Sequence, residues 1–177
     1  MPLTADDLLA RHKASQSAHQ PLPFFSELIA AEKLPRILII TCADPRCVPE
    51  FIFRIQPHDT IVLRVAGGNA QYVLPHLLSL DSMVEFTDLL VVQHTDCGAT
   101  HFRDDPVKEG LKKQAPGKET EIDNMTFGQI LGSLDDNVKK SIDFLRDSPF
   151  IRDELKSKIR GFVFDIKTGD LKEVSYP

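Results

Sequence analysis

Apolar positions along this chain fall into two patterns. Four short runs, Ile37 to Thr41, Thr60 to Val65, Leu89 to His94 and Gly161 to Ile166, are continuous and rich in Ile, Val, Leu and Phe. Runs of that kind, without polar alternation, predict strands covered on both faces. Between them the spacing changes. Val73, Leu77, Leu80 and Val84 recur at helical intervals, and Leu134, Val138, Ile142 and Leu145 do the same. Ser133, three residues before Asp136, reads as the cap of the second helix, and Ser148-Pro149 predicts the start of a further short one. Strand and helix in alternation predict an α/β fold. Its centre is a mainly parallel β-sheet of about four strands, flanked by helices and joined by right-handed crossovers. Lys167 to Asp170 reads as a turn that brings back a last strand, Leu171 to Val174, as a C-terminal hairpin.

Two stretches lie outside this alternation. Residues 1–32 hold apolar clusters at Leu8-Leu9 and at Phe24-Phe25-Leu28-Ile29, separated by a polar segment, and are read as an N-terminal helical arm on a single domain spanning 1–177. Residues 103–125 are charged, contain Pro106 and Pro116-Gly117, and are expected to form a loop or lid. The size of the chain, 177 residues, suits one domain with a substantial core. A net charge of −5 and the lack of a Lys/Arg cluster argue against a nucleic-acid surface. No apolar stretch is long enough to span a bilayer, and the acidic Met1 to Asp7 has neither the plan of a secretion signal nor that of a transit peptide, so a cytoplasmic protein is expected.

Chemistry concentrates at two strand ends. Cys42, Asp44 and Arg46 follow the first strand, and His94-x-x-Cys97 closes the third. In parallel sheets ligands collect beyond the carboxyl ends of the strands, which is where both groups fall. Two thiolates and an imidazole are what Zn2+ takes as ligands, and three protein ligands leave room for a water. The odd number of cysteines, 3, argues against a disulfide framework and for metal chemistry. Cys47 is read as a small buried hydrophobe. Asp44 has three readings: a fourth metal ligand, a partner of Arg46 that leaves the fourth position open, or half of an ordinary ion pair.

Cys42-Ala43-Asp44-Pro45-Arg46 and His94-Thr95-Asp96-Cys97-Gly98 resemble the two signatures of the β-class carbonic anhydrases. Arg64-Val65-Ala66-Gly67-Gly68 resembles a further element of that family, with Val65 where asparagine is usual, and Arg160 to Gly169 resembles the closing strand and hairpin of its short members. The resemblance implies an enzyme, a zinc-dependent carbonate dehydratase in which a zinc-bound hydroxide attacks a small linear molecule. Carbon dioxide is the default substrate, and short members of the clade include carbonyl sulfide and carbon disulfide hydrolases. It also implies that Asp44 orients the nucleophile while Arg46 holds Asp44, and that the N-terminal arm packs on a partner subunit in a homodimer or higher oligomer. Val65, an aliphatic side chain in place of an amide, is read as mildly favouring the sulfur substrate. Two thiolates donate more charge than imidazoles, which predicts a somewhat alkaline optimum. The alternative from another class is a structural zinc module, closed by Asp44 or Cys47 and without chemistry.

The remaining polar residues receive plainer readings. Asp96 has two readings, a partner of a ligand or of Arg64 and, the preferred one, the cap of a helix beginning near Gly98; His58, His76 and His101 could shuttle protons to buffer but are read as ordinary surface histidines. Gly67-Gly68 lacks the spacing of a dinucleotide fingerprint and is expected to bring backbone close to the site or to turn with positive φ.

Overall fold

A computed structural model describes residues 2–176. Within it the chain forms two compact units, Met1–Lys33 and Leu34–Pro177. The first carries helices α1 (Ala5–Ser15) and α2 (Phe25–Ala30). A capping box opens α1, Thr4 accepting from the Asp7 amide while Asp7 accepts from that of Thr4. Neither helix buries a residue: Leu8, Leu9, Phe25 and Ile29 are exposed, as are Leu22 and Phe24 in the segment before α2.

The second unit is the α/β body. Strands β1 (Ile37–Cys42), β2 (Thr60–Val65), β3 (Asp88–His94), β4 (Ile159–Phe164) and β5 (Leu171–Glu173) form one sheet in the order β2-β1-β3-β4-β5. The first four are parallel and β5 runs antiparallel to β4, as the apolar runs predict. β4 starts two residues earlier than expected, and Asp165 and Ile166 belong to the hairpin instead; Asp165 takes the amides of Lys167 and Thr168. Helices α3 (Pro49–Ile52), α4 (Leu74–Val84), α5 (Asp104–Gln114), α6 (Glu119–Asp123), α7 (Leu134–Asp147) and α8 (Asp153–Lys156) fill the connections.

Side-chain alternation gives the sheet two apolar faces. Leu38, Ile40, Leu89 and Val91 pack with Leu77 and Val84 of α4 and with Val138, Ile142 and Leu145 of α7 in the main core. Each of those helix side chains contributes on the order of 2 kcal/mol through burial. The opposite face buries Ile39, Val92 and Phe162 with Cys47. Ser133 caps α7 by accepting from the Asp136 amide, as its spacing predicts.

Two expectations are corrected. Residues 103–125 are largely helical, as α5 and α6, and not a loop. Pro106 falls in the first turn of α5, where amides have no helical partner and no carbonyl four residues back lies inside the helix to clash with the ring. Asp104 and Asp105 at its start and Lys112 and Lys113 at its end complement the helix dipole. Ser148-Pro149 does not start a helix: Ser148 ends α7, its hydroxyl accepts from the Phe150 amide, and the next helix begins at Asp153 after Arg152.

Candidate metal centre

β1 and β3 lie side by side with Thr41 opposite Val92, so their carboxyl ends deliver Cys42 and His94 to one place. A turn through Thr95 and Asp96, with Asp96 at φ 55, then brings Cys97 back. The ligand atoms of Cys42, His94 and Cys97 all lie within 4.8 Å of one another, and all three residues are buried. Cys42 Sγ and Cys97 Sγ are 3.6 Å apart. Zinc–sulfur bonds of about 2.3 Å in a tetrahedron place two sulfurs about 3.8 Å apart, so the pair fits one ion. His94 supplies the second test. Its Nδ1 lies 2.9 Å from the Thr95 carbonyl, which makes Nδ1 the protonated nitrogen and leaves the Nε2 lone pair free. Nε2 is buried and has no hydrogen-bond partner among the described residues, a costly arrangement unless a cation takes the lone pair. The residues present fit zinc.

Protonation of the three groups is linked. Cys42 is pushed down, first by the hydrogen bond it accepts from Cys97 and further by His94 and the amides of Asp44 and Gly67, against the effect of burial. Cys97, the donor in that bond, is pushed up. Burial pushes His94 down, but the neighbouring Cys42 thiolate outweighs it and leaves the imidazole raised. The hydrogen bond between the two sulfurs thus favours Cys42 as the thiolate and Cys97 as its donor, and a divalent cation would compete with the proton of that bond.

Asp44 stands beside this group but outside it. Arg46 grips both of its oxygens, Nε to Oδ1 at 3.0 Å and Nη2 to Oδ2 at 2.8 Å, and the Arg46 amide donates to Oδ1 at 2.8 Å. Oδ2 remains 3.8 Å from His94 Nε2. Those hydrogen bonds from Arg46, above all, hold the Asp44 carboxyl down to about 2.

The surrounding shell comes from residues to which the sequence reading assigned little. Arg64 of β2 donates to the carbonyls of Cys42, Asp44 and Cys47, and so fixes the loop that carries Cys42 and Asp44. An arginine in an otherwise apolar strand was the available signal. Gly67 and Gly68 both have positive φ, and a Cβ on Gly68 would meet backbone atoms of Thr41 and Cys42 at 3.2 Å. Close approach and a left-handed turn are both realised. Asp96 caps nothing, in contrast to its expected role: the short turn at Gly98–Thr100 has no side-chain cap. It pairs instead with Arg46 and, at 3.3 Å, with the exposed His101. His58 and His76 are exposed. Cys47 is fully buried 3.3 Å from Thr41 Oγ1, outside the metal group, with its thiol pushed up by burial.

Apolar residues close the other side. Ala99 and Ile130, with Phe102 and Leu134, pack around the two cysteines. Val65, although opposite Cys42 in the β1–β2 register, packs against the main core and does not join this group. Its inferred influence on a sulfur substrate loses its structural footing.

Comparison with known proteins follows the same lines. The family model described as carbonic anhydrase matches residues 37–171. The chain is 28% identical over 140 residues to beta-carbonic anhydrase 1 of Mycobacterium tuberculosis, covering 78% of this chain and 82% of that one. It is 27% identical over 158 residues to carbon disulfide hydrolase of an Acidianus species, covering 78% and 76%. Among solved structures, carbonic anhydrase from Glaciozyma antarctica superposes with a TM-score of 0.73 at 27% identity, covering 89% of this chain and 98% of that one.

Proposed function

The chain belongs to the β-carbonic anhydrase family, and from that premise we propose that it is a zinc enzyme hydrating carbon dioxide to bicarbonate, with Cys42, His94 and Cys97 as ligands. The observation that carries this reading is the buried trio with an unpartnered His94 Nε2, beside a carboxylate that Arg46 keeps out of the ligand group. Zinc held there would lower the pKa of a coordinated water from about 16 toward 7, a magnitude borrowed from carbonic anhydrase with three histidine ligands.

Asp44 is the residue that orients the attacking water. Held down to about 2, it is ionised throughout the working range and accepts the O–H hydrogen bond, which fixes the direction of the oxygen lone pair. Arg46 contributes by occupying both carboxylate oxygens from behind, so that Asp44 does not close the shell as a fourth ligand. Ala99, Ile130, Phe102 and Leu134 offer an apolar wall suited to a linear, uncharged substrate and exclude bulk water from it. A closed structural site would leave the grip of Arg46 on Asp44 without a purpose.

A second reading, hydrolysis of carbonyl sulfide to hydrogen sulfide and carbon dioxide, is favoured by the likeness to a carbon disulfide hydrolase, which matches nearly as closely as the carbonic anhydrase relative. The test is paired: stopped-flow hydration of carbon dioxide and hydrogen sulfide release from carbonyl sulfide, on one zinc-loaded preparation. Faster turnover of carbon dioxide is the expected result. Turnover of the sulfur substrate alone would replace the first reading with the second, and turnover of neither would leave a structural zinc module.

The reading extends to assembly and setting. The exposed apolar residues of α1 and α2 support a homodimer or higher oligomer, and three free, buried cysteines suit a reducing cytoplasm. Among the described residues no helix is long and apolar enough to cross a membrane.

A further inference from the structure

We infer that Asp96 is a positioning residue of this centre: its carboxylate and its carbonyl hold the edge of Arg46 turned away from Asp44, and so fix the arginine that restrains Asp44. Arg46 makes two sets of bonds. One edge of its guanidinium serves Asp44 through Nε and Nη2. The other serves Asp96, with Nη1 donating to Oδ2 at 2.7 Å and Nη2 to the main-chain oxygen at 2.8 Å. Without the second set, a long and half-exposed side chain would pivot about a single carboxylate, and Asp44 would move with it.

The backbone supports the assignment. Asp96 sits at φ 55, in the left-handed region where glycine and asparagine are the easier occupants. A turn that only had to return Cys97 to the metal group would be made at least as well by either. The cost of an aspartate there is met by its carboxylate, which accepts from Arg46 Nη1; the main-chain oxygen that accepts from Nη2 would be present with any residue. His101 Nε2, 3.3 Å from the second carboxylate oxygen, braces the group from the solvent side. Both members of the Arg46–Asp96 pair are about half exposed, at 46% and 58% of their side chains, so its effect is expected to be moderate.

This inference deepens the proposed catalytic reading and rests on it, and the experiment separates the two. Asp96→Asn and Asp96→Gly are compared with the intact zinc-loaded chain for zinc content, unfolding temperature and turnover. The nitrogen-15 NMR signal of the Arg46 Nε–H, assigned by its loss in Arg46→Lys, is followed in parallel. Both variants should keep zinc and unfold at the same or a higher temperature. Turnover should fall by about three- to tenfold in kcat with KM little changed, glycine more than asparagine, and the Arg46 signal should broaden. Activity then falls without a loss of stability, which a residue serving only the turn would not produce. Unchanged turnover, or turnover lost with an unchanged Arg46 signal, overturns the inference. If the intact chain turns over neither substrate, the functional reading fails, and the Arg46 signal alone decides whether Asp96 restrains Arg46: broadening upholds the restraint and an unchanged signal ends it.

Discussion

At the scale of single residues, what the centre can take up depends on a few atoms. His94 Nε2 has a free lone pair because Nδ1 is committed to the Thr95 carbonyl. On the proposed reading Cys42 and Cys97 would bind zinc as thiolates, for which a hydroxyl is a poor substitute. Cys42→Ser or Cys97→Ser should therefore lose metal and activity together, as measured by zinc analysis beside the hydration assay. Full zinc in both variants would remove them from the ligand set. Asp44→Asn should differ in kind. It preserves shape but not the charge that, on the proposed reading, accepts the nucleophile's hydrogen bond, so zinc should stay while the rate drops on the order of a hundredfold. Zinc lost in proportion to rate would make Asp44 a ligand. The pH dependence has a definite sign. Asp44 is depressed in the fold, so its contribution to stability is present above the ordinary carboxylate range and is lost as pH falls through about 2. A decline of activity between pH 8 and 6 is consequently not owed to Asp44; on the proposed zinc reading it would follow the coordinated water, and two thiolate ligands should place its midpoint on the alkaline side. A midpoint near 4 would contradict this. Val65 packs with the main core, so Val65→Asn should leave the ratio of the carbon dioxide and carbonyl sulfide rates unchanged. It should instead cost about 1–3 kcal/mol in denaturant unfolding, through a half-buried amide without a partner.

At the scale of elements, the site depends on how closely β2 turns away from β1. Gly68, at φ +65, lies where a Cβ would press on main-chain atoms of Thr41 and Cys42, neither of which can swing aside as a side-chain tip could. Gly68→Ala should thus cost stability, about 1–2 kcal/mol for the left-handed backbone alone, and should also lower zinc affinity by displacing Cys42. Zinc titration of the folded variant reads the second effect separately. An unchanged affinity would mean that the β2 turn carries no strain to the ligand. Arg64 works at the same scale. It ties three carbonyls of the loop between residues 42 and 47 to β2, and so gives an irregular segment the rigidity of the sheet.

At the scale of the whole molecule, apolar surface is distributed unevenly. The body buries a continuous core on one face of its sheet, whereas the arm places Leu8, Leu9, Leu22, Phe24, Phe25 and Ile29 in solvent. So many large apolar side chains on some thirty residues are unusual for a free monomer and suit a covered surface. The intact chain should accordingly sediment as a dimer or larger species at micromolar concentration. A monomer under those conditions would require the arm to be covered in another way.

What the sequence determined by itself was whatever depends on near neighbours along the chain. The strands were legible because burial on both faces demands uninterrupted apolar runs, and α4 and α7 because an apolar stripe must recur every three to four residues. The meeting of Cys42, His94 and Cys97 was legible for the same reason: Cys42 and His94 end two such runs, and Cys97 follows within one turn. Where a local signal was weak, the reading failed. The helix α5 has few apolar positions and a proline that only its place in the first turn makes harmless. The tertiary structure alone decided which distant residues meet. Arg46 and Asp96 are separated by 50 positions and Arg64 and Asp44 by 20, yet these contacts fix the carboxylate beside the metal group. Register likewise set Val65 beside Cys42, while packing turned its side chain into the core. Polar contacts of this range leave no periodic trace in a sequence, because a single hydrogen bond constrains two residues and none of those between them.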